Sequence, residues 1–315
     1  MAIRIFIDGA AGTTGLEIRE RLQSRRDIEL STLAENKRKD LTARKTALNE
    51  AAIVILCLPD AAAREAVTMI ENPDVRVIDA STAHRVAEGW VYGFPELESD
   101  RREHLQKAKR VSNPGCYPTG FLALMRPLLR AGVVPPDFPA TCNAVSGYSG
   151  GGREMIAEFE NRLNSTRETF RAYGLQLEHK HVPEMQLHSG LVHRPVFAPS
   201  VSRFYRGMLV EVPLQLWALP GNISLQTIHT ILADAYAKEP LIGLEPLADS
   251  AGRKTLDAEE LKNTDRMRLY VFGSEERRQA RLVAVLDNLG KGAAGACVQN
   301  LNAMLGLPET LGLVV

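Results

Sequence analysis

The sequence has no excess of charge of either sign and no long hydrophobic run. Its 315 residues carry 38 lysines and arginines against 38 aspartates and glutamates, so the formal net charge is zero. A balanced charge gives no electrostatic reason to expect a nucleic acid or an anionic membrane as a partner. The longest apolar run, AAIVILCLP at 51–59, is far too short to span a bilayer. These absences favour a small molecule as the ligand.

Cysteine is also scarce, with four residues scattered along the chain at positions 57, 116, 142 and 297. So few cysteines in so long a chain do not indicate a disulfide framework. The N-terminal stretch MAIRIFIDGAAG lacks the charged and then apolar layout of a signal peptide. We therefore expect the reducing environment of the cytoplasm.

The order of predicted elements divides the chain near Cys116. Strands and helices alternate over the first 80 residues, which predicts a parallel sheet wound with helices. The predicted strands are 3–7, 28–34, 52–58 and 75–79, with helices at 16–24 and 61–70. The rhythm then changes: helices are predicted at 121–131, 225–237 and 295–305, with strands at 141–146, 205–217, 269–273 and 281–287. Length alone also favours two domains.

A glycine-rich turn, GAAGTTG, directly follows the first predicted strand and opens the first helix. Gly9, Gly12 and Gly15 permit a tight turn, close approach of the backbone to a pyrophosphate and close helix packing. Thr13 and Thr14 lie among the predicted cofactor contacts. The spacing G-x-x-G-x-x-G departs from the commonest form of this motif. The strand before it and the helix after it favour dinucleotide binding over a purely structural turn.

The end of the second strand bears on the choice between NAD and NADP. Glu35 lies about 20 residues beyond the first glycines, where an acid can bind a ribose 2′-hydroxyl. It is followed by a basic run that includes Lys37, Arg38 and Lys39, which suits a 2′-phosphate, and Ser31 could add a hydrogen bond. The alternative is a solvated surface loop. The pattern favours NADP.

A cysteine fenced by prolines and glycines lies in SNPGCYPTG at 112–120. A helix is predicted to start near Thr119, which brings the sulfur of Cys116 close to a helix N-terminus. Free N–H groups there stabilise a thiolate and could hold an oxyanion. The other three cysteines lie in apolar or small-residue segments and are expected to be inert. Cys116 is therefore predicted to be a nucleophile.

A thiol nucleophile needs an acid or base partner, and histidine is the usual one. His179 and His181 lie in EHKHVPEMQLH at 178–188 and share a face if this segment is extended. Glu184 could orient one of them. A partial metal site and purely structural histidines are the alternatives, and no further spaced ligand supports zinc. We expect acid/base histidines and no metal.

Together these segments resemble the N-acetyl-gamma-glutamyl-phosphate reductases, the NADPH-dependent enzymes of arginine biosynthesis. The resemblance covers nearly the whole chain and is closest to the shorter, type 2 form. The segments that carry it are GAAGTTG (9–15), CLPD (57–60), DASTAHR (79–85), YGFPEL (92–97), SNPGCYPTG (112–120), SGYSGGGR (146–153), HKHVPE (179–184) and GAAGACVQNLNAMLGL (292–307). Longer members have a tyrosine in the first glycine loop where this chain has Thr13-Thr14, which leaves the cofactor contacts less defined than the cysteine.

The resemblance implies an α/β fold with two domains. Residues 1–116 would form a Rossmann NADP-binding domain, on which the C-terminal helix at about 292–315 packs back. Residues 117–291 would form an α+β catalytic and dimerisation domain of the glyceraldehyde-3-phosphate dehydrogenase C-terminal type. The expected assembly is a homodimer or a homotetramer.

The resemblance also implies roles for individual residues. Cys116 matches the family's nucleophile, and His179 and His181 match its paired histidines; we favour His181 as the acid/base because Pro183-Glu184 follows it. Arg85 matches an arginine that holds a substrate phosphate, with a structural ion pair as the alternative. The predicted substrate contacts are Arg85, Ser146, Gly147 and Glu184, and Ser149 is predicted to contact the cofactor.

The reaction implied is the reduction of N-acetyl-glutamyl phosphate to N-acetyl-glutamate semialdehyde and phosphate through a cysteine thioester. Two alternatives stay open. One is another semialdehyde dehydrogenase, acting on aspartyl phosphate or a carrier-bound aminoadipyl phosphate. The other is a catalytically silent regulator that senses NADP.

Overall fold

The computed structural model describes residues 2–38, 40–161 and 165–315. The chain divides into a first unit, Met1–Gly115 with Ala293–Leu313, and a second unit, Cys116–Gly292 with Val314–Val315. The expected boundary assigned Cys116 to the first domain. The structure assigns it to the second, because Cys116 is the first residue of a helix that packs there.

The first unit is built on a six-stranded sheet in which every pair of neighbours is parallel. Its strands are β1 (Ile3–Asp8), β2 (Ile28–Ser31), β3 (Ile53–Leu56), β4 (Arg76–Asp79), β5 (Val91–Tyr92) and β6 (Arg110–Ser112). The order across the sheet is β2-β1-β3-β4-β6-β5. Every residue of β3 is buried, as expected for an apolar strand covered on both faces.

Helices cover both faces of this sheet, since alternate residues of β1 enter different cores. These helices are α1 (Thr13–Leu22), α2 (Leu41–Glu50), α3 (Asp60–Thr68) and α4 (Arg101–Lys107). Ile5 and Ile7 pack with residues of α1 and α4, whereas Phe6 packs with residues of α2 and α3. The first unit is therefore a doubly wound α/β domain, which confirms the predicted Rossmann class.

The second unit contains a seven-stranded mixed sheet in the order β11-β12-β13-β10-β7-β9-β8. Its strands are β7 (Thr141–Gly147), β8 (Phe170–Ala172), β9 (Val196–Ser202), β10 (Met208–Gln215), β11 (Ile242–Leu244), β12 (Met267–Ser274) and β13 (Gln279–Leu286). Its helices are α5 (Cys116–Arg130), α6 (Gly152–Glu160), α7 (Val182–Ser189), α8 (Leu225–Tyr236) and α9 (Leu247–Gly252). Gly120 lets α5 lie directly on the sheet, because a Cβ there would be 2.8 Å from Val210.

A proline inside α5 shows how tertiary contacts support a helix that local propensity opposes. Pro127 has no N–H to donate to the carbonyl of Ala123, four residues earlier. The hydroxyl of Tyr236 in α8 donates to that carbonyl instead, at 2.8 Å. The helix therefore continues through Pro127 to Arg130.

The chain ends with a π-helical turn, Gly290–Ala294, and then α10 (Gly295–Leu305), which belongs to the first unit. Cys297, Val298 and Leu301 of α10 lie in the same core as Ile5 and Ile7 of β1. Short 3-10 turns occupy Glu35–Lys37, Tyr148–Gly151 and Leu216–Ala218. Among the described residues, no helix is both long enough and apolar enough to cross a membrane.

Candidate active site

The glycine turn after β1 lies where the carboxyl ends of β1 and β3 meet. Gly9 has a φ of +89°, and a Cβ there would lie 2.3 Å from the Cys57 carbonyl oxygen. A Cβ on Gly15 would lie 2.5 Å from the Gly9 carbonyl oxygen. Close packing within the protein is therefore enough to require glycine at both positions. The order β2-β1-β3 makes this edge the switch point of the sheet, where such folds bind ligands.

Gly12 differs, because a Cβ there would meet protein atoms only at ordinary distances of 3.5 and 3.9 Å. The missing side chain instead leaves open the N-terminus of α1, which Gly12 precedes. No side chain among residues 2–38, 40–161 and 165–315 caps this helix at Gly12. Thr13 and Thr14 are its first two residues and are half-buried. These features fit a dinucleotide pyrophosphate, which would accept hydrogen bonds from the first N–H groups of α1.

The residues predicted to select NADP lie at the end of β2 and in the turn that follows. The Ser31 hydroxyl donates to the Ile5 carbonyl at 3.2 Å, so its proton is already engaged within the sheet. Lys37 and Arg38 are exposed, and Arg38 lies 3.9 Å from the Glu35 carboxylate. Lys39 lies outside the described residues. Preference for a 2′-phosphate stays a prediction that depends on Lys37 and Arg38.

Arg85 is buried in the loop after β4, with 8% of its surface exposed. Its Nε donates to the Asn113 carbonyl at 2.9 Å, and its Nη2 donates to the Ala80 carbonyl at 3.2 Å. These bonds support a structural role in which Arg85 holds main-chain carbonyls. The phosphate contact of Arg85 stays a prediction, since these hydrogen bonds do not test it.

The loop that carries Arg85 is braced by a buried acid and a histidine. The Oδ2 atom of Asp79 lies 2.6 Å from His84 Nδ1 and accepts a hydrogen bond from the Ser81 hydroxyl at 2.8 Å. The His84 ring stacks on Trp90 with a centroid distance of 4.0 Å. No role was predicted for Asp79 or His84 from the sequence, although both lie in the motif DASTAHR. These contacts fix the backbone of the loop that contains Arg85.

Cys116 is the first residue of the 15-residue helix α5 and is only partly buried. The structure corrects the expected helix start near Thr119 by three residues, which places the sulfur nearer to the free N–H groups. The dipole of a helix N-terminus stabilises a thiolate at such a position. A Cβ on Gly292 would lie 2.9 Å from Cys116 Cβ. Gly292, for which no role was predicted from the sequence, therefore gives the Cys116 side chain its space.

The predicted histidine pair comes together in the turn before α7. The His179 and His181 rings are 4.8 Å apart in an edge-to-face arrangement. The segment is not extended as expected, because α7 begins at Val182 with Pro183 in its first turn and His181 immediately before it. Glu184 is also in this first turn and is 99% buried, with 1% of its surface exposed.

The two histidines are not equivalent. The backbone N–H of His181 donates to Nδ1 of His179 at 3.2 Å, so this nitrogen acts as an acceptor. Protonating Nδ1 of His179 would break that hydrogen bond. This asymmetry favours His181 as the group that gains and loses a proton.

Tyr117 connects the histidine pair to the start of α5. Its ring centroid lies 6.1 Å from that of His179 and 5.9 Å from that of His181. Because Tyr117 follows Cys116 directly, the nucleophile and both histidines belong to one neighbourhood of the second unit. No group of three or more histidine, cysteine, aspartate and glutamate residues in the described part of the chain could hold a metal ion.

The second glycine loop is packed into the second unit. Ser146 is buried, and its hydroxyl donates to the Gly147 carbonyl at 3.1 Å. A Cβ on Gly147 would lie 2.5 Å from the Tyr205 carbonyl oxygen, so Gly147 is required for packing. The hydroxyl of the buried Ser149 accepts from Asn288 Nδ2 at 2.9 Å. Ser149 thus has a partner within the protein, and its predicted cofactor contact gains no support from this geometry.

The remaining cysteines lack the setting of Cys116. Cys142 and Cys297 are fully buried, and burial raises the pKa of each thiol. Cys57 is partly exposed. Desolvation, with smaller contributions from Asp79 and Asp8, raises its pKa to about 12. All three thiols are therefore protonated at neutral pH.

Comparison with known families identifies the class to which this fold and site belong. Residues 4–108 match the semialdehyde dehydrogenase NAD binding domain, and residues 116–288 match the semialdehyde dehydrogenase dimerisation domain. The chain thus belongs to the semialdehyde dehydrogenase family. Its similarity to aspartate semialdehyde dehydrogenase II of Vibrio cholerae has a TM-score of 0.71 at 15% identity, covering 97% of this chain and 99% of the other.

Curated relatives narrow this class. The chain is 52% identical to N-acetyl-gamma-glutamyl-phosphate reductase 2 of a Nostoc species, covering 98% of this chain and 99% of the relative. It is also 52% identical to the N-acetyl-gamma-glutamyl-phosphate reductase of Brucella ovis, covering 97% of this chain and all of the relative. The chain belongs to the N-acetyl-gamma-glutamyl-phosphate reductase family. The predicted family and oxidoreductase class are confirmed.

Proposed function

We propose that the chain reduces N-acetyl-L-glutamyl 5-phosphate to N-acetyl-L-glutamate 5-semialdehyde and phosphate. The 52% identity to reductases named for this substrate supports the proposal. The observation that carries the mechanism is Cys116 at the first position of α5, in the same neighbourhood as a histidine pair. A thiol in that setting can form an acyl intermediate.

The first step is the attack of the Cys116 thiolate on the acyl carbon of the substrate. A bond forms between sulfur and carbon, the bond between carbon and the phosphate oxygen breaks, and phosphate leaves. N–H groups at the start of α5 stabilise the oxyanion that forms on the way. The Arg85 guanidinium binds the phosphate, for which its planar array of donors is suited. The product on the enzyme is a thioester of Cys116.

The second step converts the thioester to the aldehyde. Gly9, Gly12 and Gly15 would hold the pyrophosphate of NADPH, a cofactor that would supply the hydride needed to reduce a thioester. His181 protonates the oxygen of the resulting thiohemiacetal and takes the proton back as the carbon–sulfur bond breaks. His179 is held by its hydrogen bond from the His181 backbone N–H, and Glu184 lies buried in the first turn of α7. The aldehyde leaves, and the Cys116 thiolate is restored.

The cofactor assignment rests on two groups of the dinucleotide, the pyrophosphate and the 2′-phosphate. Gly9, Gly12 and Gly15 shape the turn in front of α1 for a pyrophosphate. Lys37 and Arg38 are exposed cations that can approach a 2′-phosphate. NADPH is therefore the proposed reductant.

The direct test is the reverse reaction with purified protein. N-acetyl-glutamate semialdehyde, inorganic phosphate and NADP should yield NADPH, and omission of phosphate should abolish steady-state turnover. Aspartate semialdehyde and a carrier-bound aminoadipate semialdehyde serve as competing substrates. A higher kcat/KM for either competitor would overturn the substrate assignment. An absence of turnover with all three would support the regulator instead.

The second unit is proposed to form a homo-oligomer through the edge of its sheet at β8. A groove of about 430 Å³ lies beside β7, β8 and β9. Phe170, Leu175 and Leu177 line it and are 59%, 73% and 50% exposed. Apolar side chains clustered in this way are typical of protein interfaces, and the matched family model is that of a dimerisation domain. We infer a homodimer or homotetramer, located in the cytoplasm.

A further inference from the structure

Tyr117 occupies a central position among the groups proposed to react, although the proposed mechanism gives it no step. It is the second residue of α5 and is 3% exposed. Its ring lies 5.1 Å from Phe197 as well as 5.9 Å from His181 and 6.1 Å from His179. Three rings on two other segments therefore pack against the residue that follows the nucleophile.

The hydroxyl of Tyr117 is fixed at both its donor and its acceptor side. It donates to the Ser200 carbonyl in β9 at 3.2 Å and accepts from the Tyr173 hydroxyl at 2.9 Å. Tyr173 in turn lies 5.7 Å from His179, measured between ring centroids. The hydroxyl thus ties the first turn of α5 to β9 and to the segment that leads to the histidines.

Both phenols stay protonated in this setting. Desolvation raises the pKa of Tyr117 well above its ordinary value, and interaction with Tyr173 and Cys116 adds to the rise. Desolvation likewise raises the pKa of Tyr173, with a further contribution from Cys116. A neutral phenol places no negative charge beside a cysteine that must become a thiolate. The pair can therefore hold geometry without opposing the chemistry.

We propose that Tyr117 is a positioning residue of the reductase: its ring sets the orientation of His179 and His181, and its hydroxyl fixes the start of α5, and with it Cys116, against β9. This inference rests on the proposed function. The alternative is an ordinary core tyrosine whose loss lowers stability and nothing else. The two differ in what happens to proton transfer and to the thiol.

Three substitutions separate the roles of the ring, the hydroxyl and simple packing. Tyr117→Phe keeps the ring and removes the hydroxyl, whereas Tyr117→Leu removes both. Phe121→Leu is the matched control, because Phe121 is fully buried one turn further along α5. It removes a core ring from the same helix without touching either histidine's ring partner. Thermal unfolding of each variant measures the stability change.

The readouts are the pH profile of kcat in the reverse reaction and the rate at which iodoacetamide alkylates Cys116. A misplaced acid/base group costs on the order of 10²-fold in rate. We therefore expect Tyr117→Leu to lower kcat about 10²-fold and to shift a limb of the pH profile. We expect Tyr117→Phe to lower kcat about tenfold with the KM for NADP unchanged, because the ring still supports the histidines. Phe121→Leu should lower the melting temperature and leave both readouts within about twofold, since it changes packing alone.

The proposal would be overturned if the Tyr117 variants matched Phe121→Leu in kcat, pH profile and alkylation rate. If Tyr117→Leu fails to fold, Tyr117→Phe decides: wild-type kcat with a wild-type pH profile contradicts the proposal, and a lowered kcat supports it. Failure of the proposed function is a separate outcome, since the wild type would then show no turnover. In that case the alkylation rates decide: a changed rate in Tyr117→Phe supports the positioning role, and unchanged rates overturn it.

Discussion

Cys57 in the first unit and Cys116 in the second unit are both partly exposed. Cys57 follows β3 in the first unit, where Asp8 and Asp79 add to the desolvation that raises its pKa to about 12. Cys116 opens helix α5 in the second unit, where the dipole favours an anion. Partial exposure of the residue therefore does not ensure a reactive thiol, because the sulfur of Cys57 is itself desolvated. The electrostatic setting of the sulfur distinguishes the proposed nucleophile, Cys116, from Cys57.

Removing the two sulfurs should give opposite results. Cys116→Ser should lower kcat in the reverse assay on the order of 10³-fold or more, because a serine hydroxyl is a far weaker nucleophile there. Cys57→Ser is the matched control and should keep most of the activity. Equal losses in the two variants would contradict the comparison, and binding of NADP to Cys116→Ser would show that the variant is folded.

The same difference should be visible in the chemistry of the free thiols. With a pKa of about 12, only about one Cys57 in ten thousand is a thiolate at pH 8. Iodoacetamide at that pH should therefore label Cys116 at least 100-fold faster than Cys57. The labelling rate of Cys57 should rise tenfold with each unit of pH up to about pH 12, because its thiol deprotonates over this range. Peptide mapping by mass spectrometry measures both rates, and faster labelling of Cys57 would refute the contrast.

A similar comparison separates two arginines of the first unit, the half-buried Arg76 and the buried Arg85. Arg76 donates to the carbonyls of Ala108 and Met304 at 2.9 and 2.8 Å, which defines a structural arginine. Arg85 also holds carbonyls but is proposed to bind phosphate as well. Arg85→Lys should raise the KM for phosphate in the reverse reaction about 30-fold, because a charge-assisted hydrogen bond contributes roughly 2 kcal/mol. Arg76→Lys should change only the stability of the protein. If the two variants had the same KM for phosphate, Arg85 would have a structural role alone.

The smallest expected effect on catalysis comes from the groove in the second unit. Leu175→Asp puts a charge into the apolar groove and should shift the protein to smaller species in size-exclusion chromatography with light scattering. Trp217→Asp is the control, because Trp217 is 64% exposed and lies outside the groove lining. An unchanged assembly in Leu175→Asp would place the interface elsewhere. A loss of assembly in both variants would mean that general destabilisation is the cause.

The sequence predicted the first four strands of the first unit, because a parallel sheet buried on both faces produces continuous apolar runs such as that of β3. The short strands β5 and β6 were not predicted. The sequence also missed α2, whose apolar positions are few and whose buried face includes Arg44. That arginine is buried because it pairs with Asp8 at 2.9 Å. A contact between residues 36 positions apart leaves no local pattern to detect.

The candidate site was predictable to the extent that its residues lie in short motifs. Cys116 stood out because prolines and glycines fix the loop around it. Gly292, Tyr117 and Asp79 were not singled out, because their roles depend on contacts with distant segments. Gly292, for example, matters only because it packs against Cys116, which lies 176 positions earlier in the sequence. Such pairings are set by the tertiary fold.

The most direct test of the account is to look for the acyl group on the enzyme. Wild-type protein mixed with N-acetyl-glutamyl phosphate in the absence of NADPH, then quenched in acid, should gain the mass of one N-acetyl-glutamyl group per chain. The account predicts that the adduct maps to the peptide containing Cys116 and is absent from Cys116→Ser. An adduct on another residue, or full turnover without any adduct on Cys116, would contradict it.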